Sequence, residues 1–143
     1  MGARGYLLIL VTEEDFSVDE MLRQIRSKRT GAIVSFVGVV REEENGRKIK
    51  SMEMEAYKGM AEKELSDLRD KAMEKFNLED VTIIHRVGSL SPGDNIVLIA
   101  VASGHRKEAF AGAEFLIDEL KKVVPLWKKE ILEDGEVWVE GGH

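Results

Sequence analysis

Residues 81–110 read VTIIHRVGSLSPGDNIVLIAVASGHRKEAF, and this stretch carries two strands, the turn between them and the start of a helix. Residues 81–87 and 95–102 are dense in Val and Ile, the residues that pack well on a pleated surface. Between them SLSPGD holds Pro92-Gly93, a turn signal, so the two strands read as neighbours. Ser103-Gly104 then opens a helix to about residue 123, with Ala109, Ala113, Leu116 and Leu120 as its buried stripe. Pro125 stops it, because the residue before a proline is pushed out of the helical region.

Outward from this centre the same alternation continues. Residues 126–132 and 136–139 read as a closing hairpin around Glu133-Asp134-Gly135. Upstream lies a long amphipathic helix over 58–76. It is preceded by a half-buried strand over 49–57, where Met52, Met54 and Ala56 alternate with polar residues. The run REEENGR, 41–47, reads as a charged loop. GAIVSFVGVV, 31–40, is so uniformly apolar that it reads as a central buried strand. Ser17 caps a helix to about residue 28 whose face is Val18, Met21, Leu22 and Ile25, and residues 6–12 form the first strand. The expectation is an α+β fold with a mostly antiparallel sheet, two or three helices and a C-terminal hairpin. No repeat or linker divides the chain, so residues 1–143 are expected to form one domain.

Composition removes several classes of function. With 43% apolar and 34% charged residues the chain is globular, and no long uncharged apolar run is present to cross a bilayer. The short apolar run near the N-terminus is followed at once by acidic residues and lacks a small-residue cleavage site, so it is not read as a signal peptide. The chain has no cysteine, which excludes disulfides, thiolate nucleophiles and cysteine metal sites, and a cytoplasmic location is expected. His85, His105 and His143 share no helix-face spacing with a carboxylate, and no glycine-rich nucleotide loop follows a strand, so neither metal nor cofactor is expected. A net charge of -6 with 6% aromatics argues against nucleic acid. Gly141-Gly142-His143 ends in histidine, so it is not a ubiquitin-like tail to be activated at a terminal glycine.

What remains is a set of cations at element ends in an acidic chain. LKKVVPLWKKE, 120–130, places Lys121 and Lys122 before an apolar seam and Lys128 and Lys129 after it. Paired lysines at a helix end complement its dipole. An apolar seam with ammonium groups at both ends also suits a desolvated anion, because the field concentrates where water is excluded. Arg41 sits where the apolar strand emerges, and His105-Arg106 occupy the first turn of the last long helix. Cations there oppose the helix dipole but suit a phosphate, whereas two solvated side chains are the plainer reading. His85-Arg86, at a strand end among apolar residues, reads as structural.

The strings GAIVSFVGVVR, MEMEAYKGMAEK, IIHRVGSLSPGDNIVLIAVASGHRKEAF and LKKVVPLWKKEILEDGEVWVE together resemble, in order, the large catalytic subunit family of molybdopterin synthase, MoaE. The resemblance spans about residues 31–140 and includes the uncommon HRxG, SxHR and LKxxxPxWKKE patterns. It implies an α/β hammerhead fold and a homodimer carrying a ubiquitin-like small subunit on each side, as a heterotetramer. The implied reaction converts cyclic pyranopterin monophosphate into the molybdopterin dithiolene, each sulfur arriving as the thiocarboxylate of the small subunit's C-terminus. By resemblance, Lys121 and Lys128 are catalytic. Arg41 with the backbone of Val39 and Val40 lines the substrate pocket, His105 and Arg106 bind the phosphate, and Lys129 and Glu130 assist Lys128 on the pterin. Some relatives carry an arginine just after WVE, where this chain has Gly141-Gly142. Two readings from other classes remain at this stage: a non-catalytic receptor for a phosphorylated metabolite or acidic tail, and an interaction protein whose basic strip docks an acidic partner.

Overall fold

A computed structural model describes residues 9–124 and 126–140. The expected start of the first strand at 6–8, the stop at Pro125 and the terminal Gly141-Gly142-His143 lie outside the described residues. In chain order the elements are β1 (Ile9–Thr12), α1 (Val18–Ile25), β2 (Ala32–Val39), β3 (Glu43–Glu44), β4 (Arg47–Ala56), α2 (Lys58–Phe76), β5 (Asp80–Arg86), β6 (Gly88–Leu90), β7 (Asn95–Ser103), α3 (Arg106–Val123), β8 (Leu126–Leu132) and β9 (Gly135–Glu140).

Two sheets result. The first runs β1-β5-β7-β2, with β1 parallel to β5 and the other pairs antiparallel. The second runs β3-β4-β8-β9, with β6 also pairing to β4. Helices α2 and α3 cover one face of the first sheet and α1 the other. The main core cluster joins the two sheets, since Met52, Met54 and Leu126 of the second pack with Leu65, Ile99 and Leu116 of the first layer. Ser17 caps α1 as expected, accepting from the Glu20 amide at 3.2 Å, although the helix ends at Ile25 rather than near residue 28.

Three expectations are corrected. The uniformly apolar stretch 31–40 is an edge strand, not a central one; β7 holds the centre and is buried along nearly its whole length. The physical reason is that side chains report a strand's faces and not its edges. Val34 and Phe36 meet the main core while Ile33 and Val37 meet the α1 layer, so both faces are apolar although one backbone edge carries no neighbouring strand among the described residues. Second, the charged run 41–47 is a tight hairpin, with Asn45 and Gly46 both at positive φ (54° and 77°) as a primed two-residue turn needs. Third, the connection between β5 and β7 is not merely a turn, because residues 88–90 leave the first sheet and pair with β4 of the second.

Candidate active site

The last residues of β2 enter the junction of the two sheets. A register shift between Gly38 and Val39 re-aims the chain, as bulges do near functional sites. Val40 is then fixed through both of its backbone groups: its amide donates to the Asp94 carbonyl at 3.0 Å and its carbonyl accepts from the Gly93 amide at 2.9 Å. Val40 is therefore a buried wall without a spare backbone donor, whereas Val39 is 47% exposed. Arg41 follows, its guanidinium donating to Glu44 Oε1 at 2.7 Å across the base of the hairpin.

Strand β8 supplies the other half. Alternation along a strand sends Lys128 and Glu130 to the inner face and Trp127 and Lys129 to the outer one. Lys128 and Glu130 are 8% and 5% exposed, with Lys128 Nζ 3.8 Å from Glu130 Oε2. Buried charges of this kind persist only when compensated. The charged groups that act on Glu130 are Glu44, Lys128 and Arg41. Burial pushes the Glu130 carboxyl above the ordinary carboxylate range, and the negative charge of Glu44 adds to the effect; Lys128 and Arg41 pull it back without reversing it. Arg41, Glu44, Glu130 and Lys128 thus form one contiguous cluster. Glu44 is the member that the sequence reading missed. The available signal was Asn45-Gly46, whose tight turn folds Glu44 back against β4.

The other candidates lie elsewhere. Lys129 reaches Glu53 Oε1 at 3.8 Å and Glu136 Oε1 at 3.6 Å, and its ammonium lies 5.2 Å from the centre of the Trp138 ring. It belongs to an outer aromatic face where Tyr57 and Trp127 meet edge-on at 5.4 Å. Lys121 is exposed on the last turn of α3, beside a narrow apolar cleft lined by Phe36, Val97, Ile99 and Ile117. Its neighbour Lys122 instead pairs with Glu119 at 3.2 Å.

His105 and Arg106 stand at the opposite end of the same helix. His105 is in the N-cap position with extended backbone and makes no side-chain cap hydrogen bond, so it does not close off the helix amides. The chain is held there by a close approach: the Gly31 amide donates to the Ser103 carbonyl at 2.9 Å, and a Cβ on Gly31 would lie 2.2 Å from the Gly104 carbonyl oxygen. Because α3 is continuous over Arg106–Val123, the backbones of Arg106 and Lys121 are about 22 Å apart along its axis. His85 and Arg86 take no part in either group. His85 is fully buried and its Nδ1 donates to the Arg86 carbonyl at 2.8 Å, while the Arg86 guanidinium donates to the carbonyls of Asn95 and Glu13.

Comparison with known proteins bears out the family resemblance seen in the sequence. The family profile described as MoaE protein matches residues 11–123. The molybdopterin synthase catalytic subunit of Pyrococcus abyssi is 44% identical over 128 residues, covering 90% of this chain and 86% of the relative. That of Ralstonia nicotianae is 48% identical over 134 residues, covering 92% and 76%. Among solved structures, molybdopterin synthase from Staphylococcus aureus superposes with a TM-score of 0.88 at 41% identity, covering 94% of this chain and 97% of that one. With most of its length inside the family match and such identities along nearly all of it, the chain belongs to the MoaE family, that of molybdopterin synthase catalytic subunits.

Proposed function

We propose that the cluster of Arg41, Lys128 and Glu130, with Lys121 beyond it, is where this enzyme of molybdenum cofactor biosynthesis moves sulfur onto cyclic pyranopterin monophosphate. The sulfur donor is the thiocarboxylated C-terminus of a ubiquitin-like small subunit, and the product is the molybdopterin dithiolene. The observation that carries this assignment is the burial of Lys128 at a sheet junction that also receives Arg41. Both reactants are anions, and a cation shielded from water, as Lys128 is, holds them far more strongly than one at an open surface. The chain has no cysteine, so it has no persulfide of its own to offer. Sulfur has to arrive already activated, and the work left to this subunit is binding, orientation and proton handling.

Within that reading Arg41 and Lys128 hold the anionic substrate against the wall made by Val39 and Val40. Lys121, nearest the incoming tail, serves as the proton-transferring amine when the cyclic phosphate opens. His105 and Arg106 bind phosphate oxygens through a helix N-terminus whose amides point outward. They stand too far from Lys121 to share one compact ligand within a chain, so the complete pocket combines two copies in a homodimer, with one small subunit on each. Residues 1–143 act as one domain in this scheme, and a cytoplasmic location is part of it. Incubating the protein with thiocarboxylated small subunit and the cyclic precursor should yield the dithiolene product, detected after oxidation by its fluorescence. Recovery of unchanged precursor from a folded, partner-bound protein would refute the assignment.

A further inference from the structure

The turn SPGD, residues 91–94, grips a strand that is not its own. The Asp94 amide donates to the Ser91 carbonyl at 2.9 Å and the Ser91 amide donates back to Asp94 Oδ2 at 2.8 Å, so a backbone bond and the Asp94 side chain both close the turn. Pro92 in the second place and Gly93 at φ 93° in the third suit a type II turn. Closed in this way, the turn offers the Gly93 amide and the Asp94 carbonyl to Val40, which bonds to them at 2.9 and 3.0 Å. Val40 directly precedes Arg41. On one side the turn continues from Leu90, which pairs with Met52 of β4, and Met52 pairs in its turn with Glu130 of β8. On the other side Asn95 is anchored through its carbonyl to Arg86 at 3.2 Å and through Nδ2 to Asp15 at 3.1 Å. A short path of backbone pairs therefore runs from Val40 through the turn and Met52 to the strand that carries Lys128. The residues after Arg41 have a tie of their own, since the Ile49 amide donates to the Glu42 carbonyl at 2.8 Å. The turn governs the side before it.

We propose that Asp94 is a positioning residue for Arg41: by closing the turn on the Ser91 amide, its side chain holds the clamp on Val40 that sets where the arginine emerges relative to Lys128. Asp94 acts through Arg41 and not on the substrate. What it supplies is an acceptor oxygen at a fixed place, so a side-chain amide carbonyl in the same place can replace the carboxylate. Without that bond the turn keeps one closing contact around a glycine, the residue with the widest backbone freedom, and Val40 shifts with its two partners. A misplacement of about 1 Å in a binding group costs up to about 10²-fold in rate, so even a partial release is measurable. This deepens the assignment of Arg41 to the anion pocket and rests on that reading, but the coupling of Asp94 to Arg41 is also tested without any substrate.

The test compares Asp94→Ala and Asp94→Asn in the full-length protein, each alone and combined with Arg41→Ala, with thermal unfolding as the check on folding. Asp94 is half-buried in a surface turn, so these variants are expected to fold. In Asp94→Ala, KM for the cyclic precursor should rise about 10-fold with kcat within about twofold, because Arg41 is assigned to binding. Asp94→Asn, which keeps an acceptor for the Ser91 amide, should recover most of that loss. In the Arg41→Ala background Asp94→Ala should add less than about twofold, since effects that pass through one contact do not add. Gly93→Ala loosens the same clamp by backbone strain alone, because a Cβ there meets nothing within 4 Å, and should raise KM in the same way. Without substrate, the Arg41 Nε–H resonance, identified from Arg41→Ala by nitrogen NMR, should shift in Asp94→Ala and hold its place in Asp94→Asn. A KM unchanged in folded Asp94→Ala and Gly93→Ala, a rise that persists undiminished beside Arg41→Ala, or an Arg41 resonance that ignores Asp94→Ala overturns the proposal. Asp94→Asn as impaired as Asp94→Ala overturns it as well, by making the charge and not the closing bond responsible. Absence of dithiolene product from the wild type, beside the expected response of the Arg41 resonance, would sink the sulfur-transfer reading and leave the coupling of Asp94 to Arg41 standing.

Discussion

Lys128 and Lys129 are adjacent in β8 and face opposite sides of the second sheet. Nζ of Lys128 lies 3.8 Å from Glu130 on the inner face, whereas that of Lys129 lies between Glu53 and Glu136 and over Trp138 on the outer one. One step along a strand reverses the side chain, so the two lysines of this pair cannot serve one small ligand together.

Lys128→Ala and Lys129→Ala should therefore separate cleanly. A charge-assisted contact is worth about 1.5–3 kcal/mol, so Lys128→Ala is expected to raise KM for the precursor by about 10- to 100-fold. Its fold should persist, because burial already raises the Glu130 carboxyl above the ordinary range and so eases its protonation once the lysine is gone. Lys129→Ala should change KM by less than about twofold, since its partners are rim carboxylates whose ion pairs contribute little. Equal losses in the two variants, measured by steady-state kinetics on folded protein, would contradict the facing seen in β8.

Lys121→Ala should act on kcat. The residue is exposed at the end of α3, so its removal is expected to alter stability by no more than about 0.5 kcal/mol. If its amine moves a proton as the cyclic phosphate opens, turnover should fall by about 10²- to 10⁴-fold with binding of the small subunit retained. Single-turnover product formation within a few fold of wild type would remove Lys121 from the chemistry.

Much of this arrangement was legible in the sequence, and the failures share one cause. Helix α2 falls on Lys58–Phe76 as the amphipathic pattern demands, β7 and the closing hairpin lie within one residue of expectation, and α3 starts at Arg106, two to three residues after the expected Ser103-Gly104. Hydrophobic pattern encodes faces, and faces were read correctly. What it does not encode is which strand lies beside which. The apolar run ending in Val39 thus reads as central although it is an edge, and residues 88–90 read as part of a turn although they pair with β4. The same blindness hides Glu44, whose meaning depends on a hairpin bringing it near Glu130 of β8, far along the chain. Lys128 and Arg41, by contrast, are marked by charge appearing where the chain turns apolar, and Glu130 is implied by the family resemblance; the three meet in space.

His85 provides a separate, pH-based check on the first sheet. Burial lowers its pKa from 6.5 to about 4, so the unfolded chain takes up a proton before the native one. Stability contributed by the neutral ring is complete above about 6.5 and is lost as pH falls toward about 4. Between pH 7 and pH 5 the loss from this one group should be on the order of 2 kcal/mol. His85→Asn, uncharged at both values, is expected to be less stable at pH 7 but to lose correspondingly less on acidification. Denaturant unfolding of both proteins at the two pH values measures the difference; parallel losses would mean that the buried ring does not titrate as its surroundings dictate.

The last prediction concerns how many chains build one pocket. Arg106 and Lys121 begin and end a continuous helix, and about 22 Å of backbone separates them. Their side chains recover several ångströms each, which still leaves a gap that a single pterin phosphate does not close. A two-fold dimer removes the conflict, because an isologous interface brings the start of α3 in one subunit toward the Lys121 and Lys128 region of its mate. Each pocket then draws His105 and Arg106 from one chain and the lysines from the other. Arg106→Ala and Lys121→Ala should each inactivate the homodimer. In a heterodimer of the two, one pocket carries both defects and the other carries neither. Mixing the inactive proteins under conditions that exchange subunits should therefore restore up to about half of wild-type turnover per heterodimer. Verified heterodimers that stay inactive would show that each site is completed within a single chain, and the 22 Å separation would then exclude His105 and Arg106 from the substrate pocket.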